Sequence, residues 1–189
     1  MLTTLFVSTL AVAIAEIGDK TQLLALVLAV RYRRPLPIIL GILVATVLNH
    51  ALAGWVGALV AGWVGEQALR WVLVVAFLAV AAWTLVPDSV DEDMRLRSAR
   101  GVFLTSTLAF FLLEMGDKTQ VATMVLAATW DPLWAVVAGS TLGMLLANVP
   151  VVLLADRYAP RIPLAAVRTV AALVFAAMAG WIAWQGLPG

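Results

Sequence analysis

The sequence predicts an all-α integral membrane protein with six transmembrane helices, arranged as two inverted-topology three-helix repeats. Three observations predict this fold class: an apolar composition, six long apolar segments, and a seven-residue motif that occurs twice. Of the 189 residues, 63% are hydrophobic and only 12% are charged, and the mean hydropathy is +1.02. Soluble domains contain about 25% charged residues, so this composition indicates a membrane protein.

Each apolar segment is long enough for the roughly 20 residues that a helix needs to cross a bilayer. Residues that favour turns, mainly proline and glycine, separate the segments. The first segment has no charged residue before it and is longer than the core of a signal peptide, so we expect a retained helix. The six segments cover residues 2–30, 36–64, 68–86, 101–129, 133–155 and 163–185.

The repeated motif indicates an internal duplication. It reads EIGDKTQ at residues 16–22, here called the first cassette, and EMGDKTQ at residues 114–120, the second cassette, 98 positions later. The same offset aligns two further pairs in the following segment, Gly41 with Gly139 and His50 with Asn148. The likeness therefore extends beyond the motif itself.

The duplication predicts three parts of the chain. Residues 1–87 form a first three-helix repeat, residues 88–100 a cytoplasmic linker, and residues 101–189 a second three-helix repeat. Because three is odd, the second repeat must enter the membrane from the opposite side, which is typical of many secondary transporters.

Loop charges predict the orientation. Arginines follow the first, third and fifth predicted helices, whereas the opposite loops and both termini contain only Arg70. By the positive-inside rule, the arginine-rich side is cytoplasmic and both termini lie outside the cytoplasm. These arginines are Arg31, Arg33, Arg34, Arg95, Arg97, Arg100, Arg157 and Arg161.

The cassettes place charged residues near the middle of two predicted spans. A Glu, Asp or Lys at the centre of a membrane helix costs roughly 2.5–3.5 kcal/mol, so such residues usually mark an ion or proton site. At about 100° per residue along a helix, Glu16, Asp19 and Gln22 form an oxygen-rich stripe. The second cassette repeats this stripe with Glu114, Asp117 and Gln120. Carboxylate and amide oxygens suit hard cations such as Ca²⁺, Mn²⁺ and Mg²⁺.

Other residues are expected to support this site. Gly18 and Gly116 favour close helix approach or a local break that exposes carbonyl oxygens. The lysines, which cannot bind a metal while protonated, are expected to pair with carboxylates. The threonines either contribute hydroxyl groups or bond to their own helix. These four residues are Lys20, Lys118, Thr21 and Thr119.

Three polar residues of the second and fifth segments have two interpretations. His50 is the chain's single histidine, Asn49 precedes it, and Asn148 occupies the position equivalent to His50. They act either as a relay or secondary ligands, or as partners in interhelical hydrogen bonds of the kind that polar residues form in membrane bundles.

The charges of the two cassettes favour exchange. Four carboxylates and two lysines give a net charge of −2 when all are ionised, which one divalent cation or two protons would neutralise. We therefore expect Glu16 and Glu114 to bind metal when ionised and to take up protons when it leaves. The alternative is a pair of intrahelical salt bridges that only lock the bundle, although buried ion pairs seldom add net stability.

The duplicated E-x-G-D-K-T motif, in two three-helix halves, resembles the family of small cation/proton exchangers that includes eukaryotic Golgi manganese and calcium transporters and bacterial manganese exporters. The resemblance implies an antiporter of the calcium:cation type that exports Mn²⁺ and/or Ca²⁺ from the cytosol in exchange for protons. It implies no cofactor besides the transported ion, and a bacterial inner-membrane location. The charged ligands that it implies are Glu16, Asp19, Glu114 and Asp117.

Other functions are weighed against this one. An exporter of amino acids or other small organic cations would use the same acids with a roomier cavity. An intramembrane aspartyl protease would use a G-x-G-D signature, but Glu16 and Glu114 occupy its first glycine position. The absence of cysteine excludes disulfides and thiolate chemistry. No basic tract suggests nucleic acid, and a homo-oligomer is left open.

Overall fold

A computed structural model describes residues 1–86, 101–155 and 164–187, and every regular element in these ranges is an α-helix. The predicted linker, residues 88–100, lies outside the described residues, as do Arg95, Arg97, Arg157 and Arg161. The eight helices are α1 (Leu2–Glu16), α2 (Lys20–Tyr32), α3 (Pro35–Trp63), α4 (Glu66–Thr84), α5 (Val102–Glu114), α6 (Lys118–Thr129), α7 (Leu133–Leu153) and α8 (Leu164–Gln185).

Four of these helices, α3, α4, α7 and α8, are long and apolar enough to cross a membrane. Helices α1 and α2 meet the same criterion only as a pair, which is bent by 71° at the short break between them. Helix α5 is apolar but shorter, at 13 residues. The all-helical membrane class is therefore confirmed, with four crossings by length and hydropathy among the described residues, or five with the bent pair.

Each cassette interrupts a helix at the same place. Glu16 is the last residue of α1, Gly18 adopts φ +81°, and Asp19 is the N-cap of α2. In the second cassette Glu114 ends α5, and Gly116 adopts φ +76°. One helix ends and the next begins within each cassette, which confirms the predicted local break. Glycine occupies the turning position because it alone takes up positive φ without steric cost.

The break corrects one sequence-based expectation. Glu16, Asp19 and Gln22 do not form a stripe on one continuous helix, because the backbone leaves the helical conformation between Glu16 and Lys20. The second cassette breaks at the same point, between Glu114 and Lys118. The 100° rule assumed helical φ and ψ throughout, and the positive φ of the two glycines violates that assumption.

Glycines bring the two halves of the chain together in two equivalent interfaces. Helix α1 packs on α7, where a Cβ on Gly139 would lie 2.5 Å from the Leu5 carbonyl oxygen. Helix α5 packs on α3, where a Cβ on Gly41 would lie 2.7 Å from the Ser106 side chain and 3.0 Å from the Phe103 carbonyl oxygen. Leu5 and Phe103 are themselves 98 positions apart. The first helix of each half therefore packs against the long helix of the other half.

The remaining helices complete the bundle around aromatic contacts. Helix α4 packs on α8, where the rings of Phe77 and Phe175 stack with centroids 6.3 Å apart. Arg70 of α4 donates hydrogen bonds to the carbonyls of Ile182 and Ala183, near the end of α8. Large apolar side chains remain exposed on the outer surface, including Trp184, of which 86% is exposed. Such a surface suits a lipid environment.

The close approach at Gly139 predicts that Gly139→Ala destabilises the bundle. The added methyl group would meet backbone, which can retreat only if α1 and α7 separate, so we expect a loss of about 1–3 kcal/mol. Thermal unfolding in detergent measures the loss. Gly62→Ala is the matched control, because nothing lies within 4 Å of that Cβ position. Equal stability of the two variants would contradict this account of the interface.

Candidate functional site

The first glutamate is enclosed by polar groups of the other half. Glu16 is 0% exposed at the end of α1. Its Oε2 accepts a hydrogen bond from the Thr119 hydroxyl at 3.1 Å, and its Oε1 accepts one from Asn148 Nδ2 at 3.3 Å. Thr119 belongs to the second cassette and Asn148 to α7. Two of the predicted supporting residues, Thr119 and Asn148, therefore contact this carboxylate.

The second glutamate has an equivalent but chemically different environment. Glu114, also 0% exposed, accepts a hydrogen bond at Oε2 from Asn49 Nδ2 at 3.3 Å. Its Oε1 lies 2.7 Å from His50 Nε2. His50 thus occupies, beside Glu114, the place that Asn148 occupies beside Glu16. One glutamate faces an imidazole and the other faces an amide.

The lysines and aspartates form crossed ion pairs between the cassettes. Lys20 Nζ lies 3.1 Å from Asp117 Oδ1, and Lys118 Nζ lies 2.6 Å from Asp19 Oδ1. Each lysine therefore pairs with a carboxylate, as expected, but the partner comes from the opposite cassette. The alternative of two intrahelical salt bridges is wrong, because both of these ion pairs join one cassette to the other.

The glutamines brace the two breaks. Gln22 Oε1 accepts a hydrogen bond from the Gly18 backbone N–H at 2.9 Å, and Gln120 Oε1 accepts one from Gly116 at 2.7 Å. Gln22 Nε2 then donates to the Ala147 carbonyl at 3.0 Å. In the described structure each glutamine oxygen thus satisfies a backbone N–H that the interrupted helix leaves without an intrahelical partner.

Two further residues lie against the site. The Thr21 hydroxyl is buried and has no hydrogen-bond partner in the described part of the chain, so the two threonines are not equivalent. Met144, which sequence reasoning missed, is buried with its Sδ 3.1 Å from Asn148 Nδ2. Its position one helical turn before Asn148 is the only sequence signal that points to it.

The site is held together by its own charges. Over residues 1–86, 101–155 and 164–187, no group of three or more His, Cys, Asp and Glu side chains is arranged to hold a metal ion. Both aspartates lie within ion-pair distance of lysines. A cation that bound to Oδ1 of either aspartate would therefore have to displace a lysine, or bind after the two halves move relative to one another.

Comparison with known proteins decides the family. The model of the family described as the divalent cation/proton antiporter GDT1 matches residues 4–92 and 102–189. The chain belongs to this family. It is therefore a membrane transporter of the antiporter type and not an enzyme, which sets the protease alternative aside. The resemblance carried by the duplicated E-x-G-D-K-T motif is confirmed.

Individual relatives cover nearly the whole chain. A Vibrio cholerae protein named "Putative manganese exporter" is 52% identical over 180 residues, which is 95% of this chain and 90% of the relative. A "GDT1-like protein" of Synechocystis is 27% identical over 195 residues, which is 93% of this chain and 94% of the relative. No solved structure matches the chain significantly.

The crossed ion pairs predict unequal effects of removing the two lysines. Lys118→Met leaves Asp19 without its lysine in a fully buried place, and breaking a buried pair costs about 3–5 kcal/mol. Lys20→Met should cost less, because the Lys20 side chain is 22% exposed and that of Lys118 only 3%. Unfolding in detergent compares the two variants. A larger loss for Lys20→Met would contradict the pairing.

Proposed function

We propose that this antiporter exchanges Mn²⁺ for protons and exports the metal from the cytosol, with Ca²⁺ as a second substrate. The observation that carries the proposal is the crossed pairing of lysines and aspartates. Two ion pairs cancel four of the six cassette charges and leave the charge of −2 on Glu16 and Glu114. The identity of the metal is supported by the name of the Vibrio cholerae relative, a manganese exporter.

The two glutamates carry the exchange in this proposal. Both are completely buried, so their charge must be compensated by a bound cation, a proton or nearby donors. One divalent ion or two protons would neutralise the two glutamates. Binding of the metal therefore opposes binding of the protons, and binding of the protons opposes binding of the metal. Metal release on the outer side would follow proton uptake by Glu16 and Glu114.

The remaining ligands come from the cassettes and the facing helices. Asp19 and Asp117 contribute carboxylate oxygens once their lysines shift, and Gln22 and Gln120 contribute amide oxygens from the breaks. Hard divalent ions prefer these oxygen donors. When the metal is absent, the ammonium groups of Lys20 and Lys118 take its place and form ion pairs with the two aspartates.

The proposed architecture is a six-span inverted repeat, with both termini outside the cytoplasm of a bacterial inner membrane. The packing supports this architecture. Helix α1 contacts α7 at Gly139, and helix α5 contacts α3 at Gly41, and these two glycines are 98 positions apart in the chain. An exchange of partners of this kind is expected for two units related by a pseudo-twofold axis. Alternating access would then consist of rocking one half against the other around the crossed pairs.

The alternative of an exporter of organic cations requires a roomy cavity at the cassettes. An apolar groove of about 910 Å³ lies between α3 and α7, and it is lined by residues such as Val47, Leu133 and Leu142. No cassette residue lines this groove. The compact, fully buried glutamates are better matched to a small inorganic ion.

Uptake into proteoliposomes tests the proposed function. We expect Mn²⁺ uptake to depend on a proton gradient and to reverse when the gradient is reversed. Glu16→Gln and Glu114→Gln should each lower exchange by about 100-fold or more, because each removes a charge needed by the cation and a site for the proton.

Glu66→Gln is the matched control, since Glu66 is exposed at the start of α4. It should exchange like the wild type. Exchange retained in both glutamate variants would contradict the site, and Mn²⁺ uptake that ignores the proton gradient would contradict the coupling.

A further inference from the structure

The two halves of the site differ at one pair of equivalent positions. His50 lies beside Glu114 on α3, and Asn148 lies beside Glu16 on α7. Oxygen ligands alone do not require a histidine, and His50 is the only histidine of the chain. The difference therefore gives one half of the site a donor that the other half lacks.

Neither ring nitrogen of His50 makes a hydrogen bond among the described residues. Nε2 lies 2.7 Å from Glu114 Oε1, yet both ring nitrogens and this carboxylate oxygen are buried without a hydrogen-bond partner in that part of the chain. A neutral imidazole carries a single N–H, so one of its two nitrogens presents a lone pair.

This arrangement fits a metal-ligating histidine better than a structural one. A structural hydrogen bond would satisfy both Nε2 and Glu114 Oε1, whereas both atoms are buried without one in the described residues, and such unsatisfied groups are rare. With its lone pair on Nε2, His50 presents a nitrogen 2.7 Å from the Glu114 oxygen that the proposed function assigns to the ion. One cation can therefore contact both atoms.

We propose that His50 is a nitrogen ligand of the transported ion and determines the preference for Mn²⁺ over Ca²⁺. The proposal rests on the proposed function and adds selectivity to it. Ca²⁺ takes oxygen ligands almost exclusively, whereas Mn²⁺, a first-row transition ion, accepts an imidazole nitrogen beside oxygen ligands. An otherwise all-oxygen site would hold both ions, and His50 adds affinity for Mn²⁺ alone.

Electron paramagnetic resonance of bound Mn²⁺ tests the ligand directly. The full-length chain is prepared without a polyhistidine tag, once with natural and once with ¹⁵N-labelled histidine, and pulsed spectra are recorded in the presence of Mn²⁺. Because the chain has one histidine, a nitrogen coupling that changes with the label identifies His50. Bound Mn²⁺ with no such change would overturn the proposal and leave the proposed function intact.

Selectivity is tested with His50→Asn, which reproduces the amide of the equivalent half, and with His50→Gln. In each variant we expect Mn²⁺ affinity to fall by about tenfold or more, while Ca²⁺ affinity changes by less than about threefold. Ca²⁺ binding also reports that the variant is folded.

The two failures are distinguishable. An unchanged ratio of Mn²⁺ to Ca²⁺ affinity, in either variant that still binds Ca²⁺, would overturn the role of His50. A wild-type protein that binds neither ion would instead contradict the proposed function, and this inference with it.

Discussion

The structure depends on two lysine–aspartate pairs that cross between the two cassettes. Four charges in a membrane interior are tolerable only if each finds a partner. Each lysine directly follows the aspartate of its own cassette, yet it lies against the aspartate of the opposite cassette. The charges therefore tie the two halves together, and they leave the two buried glutamates as the uncompensated part of the site.

The helix breaks make the crossing possible. Positive φ at Gly18 and Gly116 ends one helix and starts the next within three residues, and a glutamine bonded to each glycine N–H stabilises the gap. The broken ends then meet the long helices α3 and α7, which supply Asn49, His50 and Asn148 to the glutamates. One backbone feature thus positions carboxylates, lysines and their neutral partners alike.

The sequence predicted the chemistry of this site better than its geometry. Burial of Glu16 and Glu114 and the pairing of each lysine with a carboxylate followed from the cost of charge in an apolar segment, and a local break was one of the two expectations for Gly18 and Gly116. The crossed partners did not, because sequence spacing carries information about one helix and none about which helix faces it. Met144 was missed for the same reason, since a methionine in an apolar segment has no distinguishing pattern.

The central claim is that one divalent ion and two protons alternate on the same pair of glutamates. The most direct test records Mn²⁺ and proton fluxes together in proteoliposomes while the membrane potential is clamped at different values. The claim predicts two protons for each Mn²⁺ and a rate that does not depend on the potential, because the exchange moves no net charge. A ratio of one or three, with transport that changes with the potential, would contradict it.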